Sequence, residues 1–303
     1  MESIRLPRFR RAPTVVPFQL TERDLEIIRL VHRHRFLRSF HIATLTDGSP
    51  QQVLRRLQLL YHHGYLERPR AQLQYYERGG SKSIAYGLGN KGGTYLENEL
   101  GIAVPHDSWD EKNHVIGRVY LEHALLVADV MVAIELACRK RGIRLLYENQ
   151  LAFQVERQPL QWKVKINGGQ KLGVIPDRVF ALEFPDSNGQ NQRVHFFLEA
   201  DRGTMPVARR NLSQTSFRRK LLAYEATWTQ KIHRRHLGIH RFRVLTVTTT
   251  VARVKSLVEA CSQLQRGHGL FLFTDRTILD KPSDIFAPIW QTGRPGESTS
   301  MLS

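Results

Sequence analysis

Ile175-Pro176-Asp177-Arg178-Val179-Phe180 opens the stretch on which the fold turns, and Phe196-Phe197-Leu198-Glu199-Ala200-Asp201-Arg202-Gly203-Thr204 closes it. Two apolar runs of strand length flank a polar loop at 186–193, rich in Asn, Gln and Gly, and this pattern predicts a β-hairpin. Asp177 stands where the first strand begins; Glu199 and Asp201 stand where the second ends. Pairing of the strands would gather these carboxylates. Such a cluster is one way of holding a hard divalent cation. Acids at strand ends also serve as solvated turn or cap residues, and the stretch alone leaves both readings open.

The flanks extend the pattern. Upstream, apolar residues at helical spacing predict one long helix over 114–141, and Gly142-Ile143-Arg144-Leu145-Leu146-Tyr147-Glu148 reads as a strand. An extra strand is optional at 161–167. Downstream, 206–236 reads as a helix, 242–247 as a β-branched strand, 251–264 as a helix and 269–274 as a last strand. The order predicts an α/β layer with a mixed sheet. Residues 202–243 hold eleven Lys and Arg against one acid, Glu225. Among them Arg202, Arg209, Arg210, Arg218 and Arg219 are candidate phosphate contacts, because such charge supplies sequence-independent affinity for nucleic acid. A solvated basic helix is the plainer alternative.

The first hundred residues read differently. Thr21 is a helix N-cap with Asp24 in the first turn, a short helix fits 39–45, and Ser49-Pro50 starts a third helix that ends at Gly64. The third helix is predicted to bury Val53, Leu54, Leu57, Leu60 and Tyr61. Gln51, Arg55, Gln58 and His62 form the opposite stripe, flanked by Gln52 and Arg56. A Gln/Arg stripe on the second helix of a helix-turn-helix is suited to base edges and phosphates. Strands at 65–68 and 84–88 enclose a basic segment whose Arg78 and Lys82 would form the tip of a wing. The expected organisation is therefore a basic, mobile arm over 1–20, a winged-helix domain over 21–105 that begins to give way to a linker at 101–113, an α/β domain over 106–290, and a disordered tail over 291–303.

The bulk numbers point the same way. The chain has 303 residues and 45 Lys and Arg against 28 Asp and Glu, a formal charge of +17. So large an excess directs attention to a polyanion. No apolar run approaches the roughly 20 residues that span a bilayer, and no secretory signal opens the chain. Two cysteines, Cys138 and Cys261, are too few for a disulfide framework and fit a reducing, cytoplasmic setting.

Pro176-Asp177 on one strand and Glu199-x-Asp201 on the next are similar to the PD-(D/E)XK, or restriction-endonuclease-like, fold. That resemblance implies Mg²⁺ held by Asp177 and Glu199, with Glu122 as a helix ligand and a Lys beside the second acid. Asp201 stands where that Lys belongs, and Arg202 or Lys220 would have to supply the cation. The whole chain resembles the replication-relaxation family of plasmid-associated proteins. The resemblance rests on the winged-helix pattern, Glu122-His123-Ala124-Leu125, Pro176-Asp177, the run from Phe197 to Thr204, Lys220-Leu221-Leu222-Ala223-Tyr224 and Val244-Leu245-Thr246-Val247-Thr248.

Three functions are expected from this. The first is a double-stranded DNA-binding protein of a plasmid or mobile element, acting with plasmid replication or mobilisation proteins, without membrane contact and possessing the two-fold logic of a homodimer. The second is a Mg²⁺-dependent endonuclease or nickase using Asp177, Glu199, Asp201 and Lys220. The third is a transcriptional regulator.

Overall fold

In a computed structural model of the chain, Thr21 closes a capping box at the start of α1 (Glu22–His34): its backbone N–H and hydroxyl both donate to Asp24. The structure describes residues 8–12, 17–73, 83–102, 108–151, 153, 160–166, 169–185, 188–280 and 284–303. They divide into two compact units, Met1–Val132 and Ala133–Ser303.

In the first unit α1 is followed by β1 (Phe36–Arg38), α2 (Ser39–Leu45), α3 (Pro50–His62), β2 (Leu66–Glu67) and β3 (Ala85–Leu88). The three strands form an antiparallel sheet in the order β1-β3-β2. β1 has only three residues and no alternation long enough to read from sequence. Ser49 accepts the Gln52 N–H at 3.3 Å and Pro50 sits in the first turn, so α3 begins where its sequence dictates.

α3 buries Val53, Leu57, Leu60 and Tyr61. Leu54, expected inside, is 47% exposed. His62, expected on the polar stripe, is buried, accepts the Ala12 N–H at 3.1 Å, and is pushed down to about 4 chiefly by that burial. Arg56 is partly buried, and its guanidinium binds Asp24, which has no exposed surface, and lies over the Phe18 ring. It therefore ties α3 to α1. Arg56→Ala is expected to destabilise the protein by about 1.5–3 kcal/mol, as for loss of a charged hydrogen bond. Denaturant unfolding of the purified variant measures it.

Two expectations about flanking segments change. Arg11, placed in a mobile arm, is clamped by Glu67 at 2.6 Å and Asp110 at 2.7 Å. A charge held by two carboxylates has little freedom, so residues 8–12 are part of the unit. After α4 (Asn90–Leu100), the linker gives way to α5 (Trp109–Val115), whose Asp110 and Glu111 suit a helix N-terminus. Asn113 donates to the Leu88 carbonyl at 2.6 Å, fixing α5 to β3. The single long helix is also broken. Ile116 leaves helical backbone geometry, Gly117 follows, and α6 (Arg118–Arg141) starts afresh. Leu121 and Leu125 of α6 pack with Phe36 and Ala85, so the division between units falls inside this helix.

The second unit contains β4 (Arg144–Tyr147), β5 (Trp162–Lys165), β6 (Lys171–Val174), β7 (Arg178–Pro185), β8 (Asn191–Ala200), α7 (Phe217–Thr229), α8 (Ile232–Arg235), β9 (Phe242–Thr248), α9 (Val251–Ser262), β10 (Phe271–Asp275), β11 (Trp290–Thr292) and β12 (Ser298–Thr299). Seven strands form one mixed sheet in the order β12-β11-β10-β9-β8-β7-β4. β8, β9 and β10 are mutually parallel, with α7 and α9 in the connections, and the remaining neighbours are antiparallel. The α/β class read from the hairpin outward holds. Val179, Phe197, Val244 and Phe273 turn one sheet face toward Leu221 and Tyr224 of α7 and Leu257 of α9, in one apolar cluster.

Three elements differ from the expectations. The helix placed over 206–236 begins only at Phe217; residues 206–216 are a loop, held where the Phe217 and Arg218 N–H groups donate to the Pro206 and Val207 carbonyls. Proline and the Ser/Thr cluster before Phe217 favour that loop. The optional strand is real as β5, and it pairs with β6 in a separate two-stranded sheet. The tail is not disordered: β11 pairs with β10, and Met301 is buried. Its Gly, Ser and Thr content hides these apolar anchors.

Candidate functional site

The β7–β8 hairpin pairs Arg178 with Leu198, and one further step of that register sets Asp177 opposite Glu199. The Asp177 N–H donates to the Leu198 carbonyl at 3.0 Å, and the Asp177 carboxylate accepts the Ala200 N–H at 2.7 Å. The pleat puts Glu199 on the same face as Phe197, toward α7. There Lys220 and Tyr224, one helical turn apart, both reach it. Lys220 Nζ pairs with Glu199 Oε2, and the Tyr224 hydroxyl donates to Oε1 at 2.6 Å. Thr246 of β9, the parallel partner of Glu199, lies fully buried on the same face, and its hydroxyl has no hydrogen-bond partner among the described residues.

Asp201 continues the line. It accepts from the Thr248 hydroxyl at 2.6 Å and from Arg253 Nε of α9 at 2.8 Å. Its Oδ1 also accepts the Gly203 N–H at 3.2 Å, closing a short turn. Gly203 has φ +73°, a left-handed conformation that explains the glycine of the Asp-Arg-Gly-Thr run. The polar groups thus collect at the carboxyl ends of β8 and β9, where open α/β sheets place ligand sites.

Electrostatics follow from burial. Glu199 is 2% exposed. Desolvation pushes its carboxyl up to about 7, with Lys220 pulling it down and Asp177 pushing it further up. Lys220 also loses hydration, yet the Glu199 and Asp177 carboxylates hold its ammonium above the ordinary value. Tyr224 is raised well above the ordinary phenol range by burial and by Glu199, so it remains a donor.

The structure therefore brings together Asp177, Glu199, Asp201 and Lys220. Glu122, the helix candidate, belongs to the first unit, where it pairs with Arg118 at 2.7 Å. Tyr224, Thr246, Thr248 and Arg253 were not anticipated. The i, i+4 spacing of Lys220 and Tyr224 carried a signal for the first, and the alternation Val244-Thr246-Thr248 for the next two. Arg253 is remote in sequence and carried none.

A resident Mg²⁺ does not fit this arrangement. Hard cations need several carboxylate oxygens turned to one point, whereas both Glu199 oxygens are taken by Lys220 and Tyr224, and Asp201 by Arg253 and Thr248. Among the described residues, no group of three or more His, Cys, Asp or Glu is disposed to hold a metal ion. Both cysteines are buried free thiols, pushed up to about 12 mainly by burial, which disfavours the reactive thiolate.

The replication-relaxation family model matches residues 28–241, from within α1 to the threshold of β9. The chain belongs to the replication-relaxation family. No curated protein and no solved structure matches it. The family span includes α3 and the carboxylate centre up to Tyr224, and leaves Thr246, Thr248 and Arg253 beyond its end.

The DNA-contact candidates separate into groups. Gln51, Gln52 and Arg55 are exposed on α3 and Gln58 is partly exposed, while Arg56 is committed to Asp24. Arg209 and Arg210 are exposed; Arg202, Arg218 and Arg219 are half-buried. Arg209 donates to the Thr215 carbonyl at 3.2 Å and Arg219 to the Ser213 carbonyl at 2.7 Å, so both also brace the 206–216 loop. Arg78 and Lys82 lie outside the described residues. Among those residues, no helix is long and apolar enough to cross a membrane.

Proposed function

We propose that this member of the replication-relaxation family is a double-stranded DNA-binding protein of a plasmid or mobile element, acting in replication or relaxation of that DNA. In this reading α1, α2 and α3 with the β1-β3-β2 sheet make a winged helix, and the second unit is a restriction-endonuclease-like scaffold with a neutralised acidic centre. The observation that carries it is α3. It buries one apolar stripe and leaves Gln51, Gln52 and Arg55 exposed on the other side, side chains that suit base edges in a major groove. The charge of +17 supports a polyanionic partner.

Arg55→Ala is expected to weaken binding to a preferred duplex by about 1–3 kcal/mol and to relax specificity. An equal loss on all duplexes would assign Arg55 to the phosphate backbone instead.

A metal-dependent nickase is the second reading, favoured by one observation: Lys220 supplies from α7 the cation that Asp201 displaces from β8. The two readings part on supercoiled plasmid with Mg²⁺ or Mn²⁺. The scaffold reading expects bound but intact plasmid. Metal-dependent nicking that Glu199→Ala abolishes would replace it with the nickase.

A further inference from the structure

β5 and β6 form a ribbon with strict alternation. Trp162, Val164, Leu172 and Val174 are buried in the apolar cluster of the second unit. Lys163, Lys165 and Lys171 are exposed on the other face. Lys165 and Lys171 are registered partners across the ribbon, and Lys163 faces Gly173. Like charges set directly opposite each other repel, and among the described residues of the ribbon no acid stands on that face. Among the described residues, none of the three lysines forms an ion pair. The Gln230 side chain at the end of α7 donates to the Lys165 carbonyl at 2.5 Å, tying the ribbon to the turn that follows α7. Lys231, Arg234 and Arg235, all exposed, continue from there, and residues 226–274 contain only Glu259 as an acid.

We infer that the exposed face of the β5–β6 ribbon, continued by Lys231, Arg234 and Arg235, is a docking surface for the sugar-phosphate backbone of duplex DNA. The inference rests on the DNA-binding reading above and adds a second contact surface, separate in sequence from α3 and from the 202–219 arginines. Alternate residues of a strand stand about 6.8 Å apart, so Lys163 and Lys165 cover about two steps of the roughly 3.4 Å axial rise per phosphate of one strand of a duplex. A row of such side chains on a flat ribbon can follow one phosphate strand. Nothing on the row reads bases, so its contribution is independent of sequence. The described exposed positions of the ribbon carry no aromatic ring, which unpaired bases would need for stacking. That favours a duplex over a single strand.

The test is the salt dependence of duplex binding, measured by fluorescence anisotropy on the full chain in EDTA. Wild type is compared with K163Q/K165Q/K171Q, with R234Q/R235Q, and with K140Q/K255Q as a control for loss of exposed charge elsewhere. Neutralising one phosphate contact lowers the slope of log K against log salt by about 0.9. The ribbon variant is expected to lose about 2–3 from the slope and the R234Q/R235Q variant about 1–2, while the control and all melting temperatures stay unchanged. Wild-type binding with an unaltered slope in the ribbon variant would overturn this inference and leave the DNA-binding reading standing. Failure of wild type to bind any duplex would overturn both. Loss of binding to polyglutamate with an unaltered duplex slope would assign the ribbon to an acidic protein and likewise overturn it.

Discussion

Arg253→Met is expected to lower the stability of the protein by about 3–5 kcal/mol, the range for removing one partner of a buried ion pair. Asp201 is 5% exposed at its side chain and Arg253 16%. Both Asp201 oxygens receive the guanidinium, which also donates to the Met205 carbonyl. Methionine keeps much of the apolar stem, so the loss reports the charge and its hydrogen bonds more than packing. Thr248 and the Gly203 N–H would be left to compensate a buried carboxylate alone. Arg253→Met combined with Asp201→Leu is expected to be milder than Arg253→Met by itself, because the stranded charge is gone. Denaturant unfolding gives the magnitude, and hydrogen exchange at the amides of β8 and β9 localises it. A cost below about 1 kcal/mol for the single variant would show that the pair is not structural.

The second large effect is a dependence of stability on pH set by Glu199. Its carboxyl titrates near 7 in the folded chain, against an ordinary value of 4.5 that the unfolded chain regains. Between those values the folded state holds a proton that the unfolded state has released, so stability falls as pH rises. The contribution is complete below pH 4.5 and gone above pH 7, and a shift of this size corresponds to about 3 kcal/mol. Glu199→Gln cannot titrate and loses this slope. The stability difference between wild type and Glu199→Gln is therefore expected to move against wild type by about 3 kcal/mol from pH 4.5 to pH 7.5. Unfolding midpoints across that range measure it. A difference that stays flat, or moves toward wild type as pH rises, would mean that Lys220 dominates and that Glu199 is ionised throughout.

What sequence could reveal about this fold follows from the range of the forces involved. The β7–β8 hairpin was legible because its apolar runs, polar loop and terminal acids lie within thirty residues. α1 and α3 were legible because Thr21 and Ser49-Pro50 are local start signals. β1 and β6 were not: three or four residues carry too little alternation, and only their partners β3 and β5 define them. Arg56 and His62 looked like members of a solvated stripe, since helical spacing says which residues share a face but not what packs against its edge. Asp24 and Ala12, distant in sequence, decide both.

The candidate site shows the same limit. Strand pairing placed Asp177 beside Glu199, and the charge count flagged the segment containing Lys220. That Lys220 and Tyr224 saturate Glu199, and that Arg253 saturates Asp201, are tertiary facts with sequence separations of 21 to 52 residues. They change the reading of Glu199 and Asp201 from cation ligands to members of an internally neutralised network, in which Lys220 and Tyr224 meet the first and Arg253 and Thr248 the second.

Selection of duplexes from a random-sequence pool, run in EDTA with wild type and Arg55→Ala, shows whether α3 reads DNA sequence without a metal. Wild type is expected to enrich a defined motif without metal, and Arg55→Ala to lose information at one or two positions of that motif while still retaining duplex DNA. A pool that wild type fails to enrich, or that it retains only when Mg²⁺ is present, would contradict sequence reading by α3.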